Sequence, residues 1–503
     1  MSTRMESSAN QALHGAAPLA APDGRSSFRA SYLALMVVIA LGTLDQSIVA
    51  TALPRIMAEF GGIATSSWVV TAYVLASTAA MPLYGKLGDQ YGRKAMICVA
   101  VITFIIGSLL CGMSTGLIEL VMARVLQGLG AGGFMPLAQA IIADLIPAKQ
   151  RGRKQGAIAA VYALTSVAGP IVGGGITEAL SWHWIFYVNL PVGGAALFVL
   201  LTRLHSVRPI GQQKIDYLGA MMLTATVSAI LLLLSMGGSS LPWDSAECLA
   251  LAGTGLVLLG LLGAHLRRTA MPILPLSLFD NRLFNIASVV MGLTFMGLFG
   301  ATIFLPMYSQ VVVGDDPTRS GLLMVPLMLG AVIGSLLSGR ILTRSERYKP
   351  TQKLGLAMAC VAFALLAWAV MQAQREAVIT PIVLTLGIGL GLVMPNMTVA
   401  VQNALPFELR GVGTAMLTFF RSLGGLIGVA ASGAFVASQV DTLQAQGTLV
   451  AQAYRSAIAG TFAVGAAVLA LAFLVLLLLP ELPLQDPGHE QAGDVKRPAG
   501  EGA

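Results

Sequence analysis

The sequence predicts an all-α polytopic membrane protein. Fourteen spanning helices follow a six plus two plus six order, and the two sets of six are pseudo-two-fold related halves. Three observations carry this. Of 503 residues, 56% are apolar and only 11% are charged, with a mean hydropathy of +0.79. A water-soluble chain of this size needs far more charge to cover its surface. Apolar runs of about 20 residues, enough to cross roughly 30 Å of hydrocarbon, recur along the whole chain. Finally, residues 128–174, beginning GLGAGGFMP, repeat without a gap 259 positions later as residues 387–433, beginning GIGLGLVMP. Matched positions include Gly128/Gly387, Met135/Met394, Pro136/Pro395, Pro147/Pro406, Arg151/Arg410, Gly152/Gly411 and Gly169/Gly428.

In chain order, residues 1–29 are rich in Ala, Ser and Pro and form a soluble tail, with no signal-peptide pattern. Residues 30–205 form a first six-helix bundle, with spans near 33–53, 66–84, 95–113, 117–141, 154–176 and 184–203. Residues 206–282 hold a two-helix insert, spans 215–235 and 247–266, with no counterpart elsewhere; it is expected to pack peripherally and carry no chemistry. Residues 283–480 form the second bundle, with spans 284–306, 321–343, 353–371, 377–400, 413–437 and 458–479, and residues 481–503 are a polar tail. Helices rather than barrel strands follow from the length and all-round apolarity of the runs, since lipid offers backbone groups no partner.

Charge orients the chain. Of the 30 Lys and Arg, Arg55, Arg319, Arg375 and Arg455 fall outside and Arg124 and Arg421 lie within spans; the other 24 fall on one side. By the positive-inside rule that side is the cytoplasm, and both termini are expected there. The net charge of +7 is thus topology, not a nucleic-acid footprint. Cys98, Cys111, Cys248 and Cys360 lie in or beside apolar spans and read as small hydrophobes.

Several strings carry chemistry. The loop GKLGDQYGRK, residues 85–94, has Gly85, Gly88 and Gly92 for a tight reversal, while Asp89 and Arg93 can make charge-assisted contacts between halves. The second-half stretch 339–349 keeps Gly339 and Arg347 but has Thr343 in place of the acid, so one complete latch is expected. Asp45, in LDQSIVATALP, lies roughly 12 Å from the outer end of its helix at ~1.5 Å per residue. An intramembrane acid is functional by default, costing about 2.5–3.5 kcal/mol on insertion scales. Arg124, at matched depth in RVLQGLGAGG, is its natural partner, and the repeat places Val383 at the equivalent position. A guanidinium beside a carboxylate favours the ionised form, and moving it away favours protonation. In SVAGPIVGGG, Gly169, Gly173 and Gly174 permit close helix approach and Pro170 permits bending, whereas the second half has Val429 for the proline. Arg421, equivalent to Tyr162, is the second intramembrane cation; cavity lining, substrate neutralisation and helix anchoring all remain open for it.

Together with SWHWIFYVNLPVG (181–193) and LPMYSQVVVGDDPTRSGLL (305–323), these strings resemble the major facilitator superfamily, and within it the fourteen-span drug:proton antiporters (EmrB/QacA-like), over nearly all of residues 30–480. Trp182 and Trp184 suit an aromatic belt at the outer interface. The resemblance implies the major facilitator fold, a proton-coupling pair Asp45–Arg124, a conformational gate at residues 85–93 and export by antiport. An exporter of this kind would have a mainly apolar cavity, built from residues such as Tyr73, Gln127, Met135, Met394, Asn396, Phe420 and Arg421. Parallel repeats of this kind frame a substrate site between halves in secondary transporters. The expected partners are small organic solutes, amphipathic or cationic, protons and the lipid bilayer of a bacterial inner membrane. No cofactor or nucleic acid is expected, and no enzyme activity. The phosphate-binding string GxxxxGK[ST] is absent, so ATP is not the energy source. Multidrug efflux leads. A dedicated exporter of one metabolite, amino acid or antibiotic is the alternative, ahead of an importer or a non-transporting receptor.

Overall fold

The structure, a computed structural model, describes residues 24–60, 63–146, 148–204, 216–237, 241–269, 272–315 and 317–484. Most of both expected tails therefore lies outside the described residues, as does the linker at 205–215.

Among the described residues, fourteen helices are long and apolar enough to cross a membrane. They are α1 (Gly24–Phe60), α2 (Ile63–Tyr91), α3 (Arg93–Met113), α4 (Leu117–Leu145), α5 (Ala148–Ala179), α6 (Trp184–Arg203), α7 (Tyr217–Met236), α8 (Ala246–Arg268), α9 (Arg282–Val313), α10 (Arg319–Ser345), α11 (Lys349–Met371), α12 (Glu376–Ala404), α13 (Arg410–Ala445) and α14 (Val450–Leu477). The even number of crossings puts the first and last described residues on one face. The same face carries the 85–94 loop and most of the Lys and Arg, and is called the basic face below. Helix α1 starts at Gly24, so its first turns take in the end of the expected tail.

The repeat is visible as packing. In the first half α1 packs on α5 and α6, α2 on α4, and α3 on α4 and α6. The second half reproduces every pair: α9 on α13 and α14, α10 on α12, and α11 on α12 and α14. Fine detail is repeated too. Arg151 Nε donates to the Ile146 carbonyl at 2.9 Å, and its equivalent Arg410 Nε donates to the Leu405 carbonyl at 3.1 Å. The halves meet where α5 packs on α10 and α2 on α13.

The insert departs from its expected peripheral place. Helix α8 packs chiefly on α7, but α7 lies on both α2 and α13, across the seam between halves. Leu223, Val227 and Leu231 of α7 are buried in the same apolar cluster as the second half. At its basic end Asp216 caps α7 by accepting from the Gly219 amide at 2.8 Å, and it accepts from His265 of α8 at 2.8 Å and from the Ile273 amide at 3.4 Å. Burial alone would push this carboxyl up; the amides and the imidazole outweigh it and hold it below its ordinary value.

Candidate functional site

Three constructions converge between the halves: a latch, a sealed charge network and a cavity.

The latch closes the basic face. Asp89, in the last turn of α2, accepts from Arg93 Nη2 at 2.8 Å and from Nε at 3.3 Å. Its other oxygen accepts from the backbone N–H of Val412 at 2.8 Å, across the interface. Val412 lies in the first turn of α13, where N–H groups have no intrahelical acceptor and the helix dipole favours an anion. Gly411 lies so close that a side chain there would collide with the Asp89 carboxylate. Gly85 allows the same approach, since a Cβ would stand 2.5 Å from that of Ala415; at Gly88 it would meet Leu137 at 2.6 Å. Gly92 opens α3 at φ 93°, a left-handed conformation that glycine adopts without strain. Sequence reasoning missed Asp144: it forms a buried ion pair with Arg93, which also donates to the Ala140 carbonyl at 3.1 Å.

The charge network lies deeper in the first half. Arg124 Nη1 donates to Asp45 Oδ2 and to Gln127 Oε1, both at 2.6 Å, and Nε donates to the Val69 carbonyl at 3.1 Å. Asp45 Oδ1 accepts from Gln127 Nε2 and Asn189 Nδ2, each at 2.8 Å. Both amides also reach Ser108 Oγ, at 2.6 and 2.9 Å. All five side chains are buried. They come from α1, α3, α4 and α6, so one network ties four helices together. At the equivalent of Arg124, Val383 is buried in apolar surroundings.

Gln127 was expected in the cavity wall and instead belongs to this network. Asn189 was missed because it sits in SWHWIFYVNLPVG, which reads as interfacial. Trp182 of that string is itself buried, donating to Glu59 at 2.6 Å, while Trp184 is exposed as expected.

The cavity has two lobes, of about 250 and 300 Å³. Met135, Tyr162, Phe295, Phe299 and Arg421 line both. Tyr73 lines the smaller lobe and Met394 the larger, as expected. Tyr73 also carries Arg124 stacked 4.1 Å from its ring centroid, so one side chain belongs to both the cavity wall and the network. Two expectations fail. Phe420 packs into the second-half core against Phe419, and Asn396 is buried beside the lobe rather than in its wall.

The glycine–proline string of α5 divides. A side chain at Gly169 would collide with Ser47 of α1, and a Cβ at Gly173 would lie 2.5 Å from Thr51 Oγ1. Gly174 has nothing within 4 Å of the corresponding position, and Pro170 is exposed. Two of the four residues, then, seat α5 on α1.

Two repeat-related six-helix bundles, a cavity between them and a contact that shuts one face define a polytopic membrane transporter. The sequence model of the Major Facilitator Superfamily matches residues 35–429. The chain is 37% identical over 402 residues to the multidrug transporter protein MdtP of Bacillus subtilis (strain 168), covering 80% of this chain and 74% of that protein. It is 34% identical over 400 residues to multidrug resistance protein 3 of the same organism, covering 79% and 77%. Among solved structures, the proton:xylose symporter XylE superposes with a TM-score of 0.65 at 13% identity, over 93% of this chain and 99% of that one, a likeness of fold. The chain belongs to the Major Facilitator Superfamily: it is a transporter, not an enzyme.

Proposed function

We propose that this protein is a proton-coupled exporter that expels small organic solutes, as a multidrug pump, in exchange for protons. The carrying observation is the position of Asp45. It is buried, it is held by three donors, and it is separated from the cavity by Tyr73, whose ring also contacts Arg124. A proton on Asp45 removes the partner of a buried guanidinium, so Arg124 must shift, and Tyr73 moves with it. Cargo in the smaller lobe presses on the same ring from the cavity side. Proton and solute thus compete through one side chain, which is what exchange requires.

The basic face is assigned to the cytoplasm by its Lys and Arg, and the protein to a bacterial inner membrane. With the Asp89 latch closed, the cavity then faces outward in the described state. There Asp45 takes a proton as cargo leaves; after the latch opens, cytoplasmic cargo displaces the proton. One proton falling through ~100 mV supplies about 2.3 kcal/mol. That sustains a roughly 50-fold gradient of a neutral solute. The names of the bacterial relatives, a multidrug transporter and a multidrug resistance protein, support a broad organic cargo. The larger lobe supports it as well, with four methionines, Met135, Met291, Met328 and Met394, that accommodate varied shapes.

The test is transport in vesicles of known orientation, using the purified protein and a panel of toxic organic compounds. An imposed proton gradient should drive at least one uphill against the proton flow, and a protonophore should abolish it. Accumulation unaffected by the protonophore, or movement with the proton, contradicts the reading.

A further inference from the structure

Arg421 is the charge that the exchange scheme leaves unused. It lies in α13 at the junction of the two lobes, lining both. No Asp or Glu lines either lobe among the described residues, and there Arg421 has no hydrogen-bond acceptor or carboxylate partner. Its guanidinium stacks on the face of Phe295, with the guanidinium carbon 5.1 Å from the ring centroid, and it interacts electrostatically with Tyr162. Stacking occupies the planar face and leaves the N–H edge, with its fork of donors, turned to the cavity. A cation held inside a membrane bundle without a counter-charge is costly and marks a pathway.

Its surroundings are built of donors. Across the junction stands Tyr162, the repeat equivalent of Arg421, so positions related by the pseudo-two-fold face one space. About two turns along the same stripe of α5, Gln155 lines the larger lobe, and its buried Nε2 has no acceptor among the described residues. The nearest intramembrane acid, Asp45, is outside the wall and committed to its own three donors. We infer that the cargo is an organic anion, a carboxylate, sulfonate or phenolate on an apolar aromatic body, whose charge is held by Arg421 with Tyr162 and Gln155. The aromatic body fits against Phe295 and Phe299. Of the amphipathic or cationic cargo expected from the sequence, this drops the cationic option, and it rests on the exporter reading only in naming that exporter's substrate.

The test is equilibrium binding to the full chain in lipid nanodiscs, using three tritiated probes on one scaffold: naphthalene-1-acetate, the neutral naphthalene-1-acetamide and naphthylmethylammonium. The wild type should bind the anion at least tenfold more tightly than the amide, and the cation most weakly. Arg421→Gln should bring anion and amide to equal affinity, Arg421→Lys should restore most of the preference, and Gln155→Leu should reduce it a few-fold. The lysine variant separates lost charge from lost fold. Equal binding of cation and anion by the wild type, an unchanged anion:amide ratio in Arg421→Gln, or no binding of any probe by a protein that still exports other compounds would overturn the assignment. Anion preference in a protein that shows no proton-driven transport would instead sink the exporter reading and leave this one standing.

Discussion

Arg124 and Arg421 are both guanidinium groups inside the bundle, yet their surroundings are opposite. Arg124 donates to a carboxylate, an amide and a backbone carbonyl and stacks on Tyr73. Arg421 stacks on the face of Phe295 and lines both lobes of the cavity, with no carboxylate partner among the described residues. Neither recurs at its repeat-equivalent position, where Val383 and Tyr162 stand, so neither is a requirement of the scaffold. A satisfied buried charge resists change until its partner is neutralised, which suits a switch. An unsatisfied one awaits a partner, which suits a binding site.

The sharpest way to break this comparison is to remove each cation. Truncating one member of a buried ion pair strands the other charge and costs about 3–5 kcal/mol. Arg124→Leu should therefore lower thermal stability severely, whereas Arg421→Leu removes a charge with no partner and should be neutral or stabilising. Equal losses in matched detergent melts would erase the distinction.

Next in size is the α1–α5 contact. Gly169→Ala must push Ser47 aside, an overpacking cost of about 1–3 kcal/mol. Gly174→Ala meets open space and removes unfolded-state freedom, so it should stabilise by about 0.4–1 kcal/mol where its backbone is helical. The same melts read both, and comparable destabilisation would show that the string is uniform after all.

Asp89→Asn keeps an acceptor for the Val412 amide but loses the charge that pairs with Arg93 and the α13 terminus. A dipole contribution of roughly 0.3–1 kcal/mol, up to ~2 when partly buried, should move the equilibrium several-fold toward an open basic face. Alkylation of cysteines placed along that face measures it; unchanged labelling would mean that the apolar contact at Gly85 alone holds the closure.

The smallest effect is expected at the insert. Asp216→Asn retains a capping oxygen but loses the charge facing His265 and the Ile273 amide, for well under ~1 kcal/mol. Because the native carboxyl titrates below its unfolded value of 3.8, this contribution is present above that pH and fades as the pH falls through the native value. Wild type and variant should differ in melting temperature at pH 7 and converge only as the pH falls below the native value, which lies under 3.8.

The architecture was legible because run length, charge asymmetry and a gapless repeat all report on topology. Asp45 and Arg124 were legible because charge inside a membrane is rare and cannot be decorative, and Asp89 because the glycines and Arg93 around it mark a tight, charged loop. Ser108 and Asn189 were not, since a neutral polar residue in an apolar helix gives no hint of which face it is on. Asn396 was misplaced for a related reason. Helix α12 is buried almost continuously from Gly389 to Asn403, so no apolar stripe marks its cavity side. Asp144 drew no reading from the sequence, and only the fold brings it to Arg93. The seam position of α7 could not be read at all, because the insert has no repeat to copy.

The central claim is tested most directly by Asp45→Asn in oriented vesicles, comparing gradient-driven uphill transport with solute-for-solute exchange. Asparagine keeps the size and an acceptor for the neighbouring amides but cannot cycle a proton. The prediction is that uphill transport is lost while exchange down a gradient survives. Undiminished uphill transport by a correctly inserted Asp45→Asn protein would contradict the account.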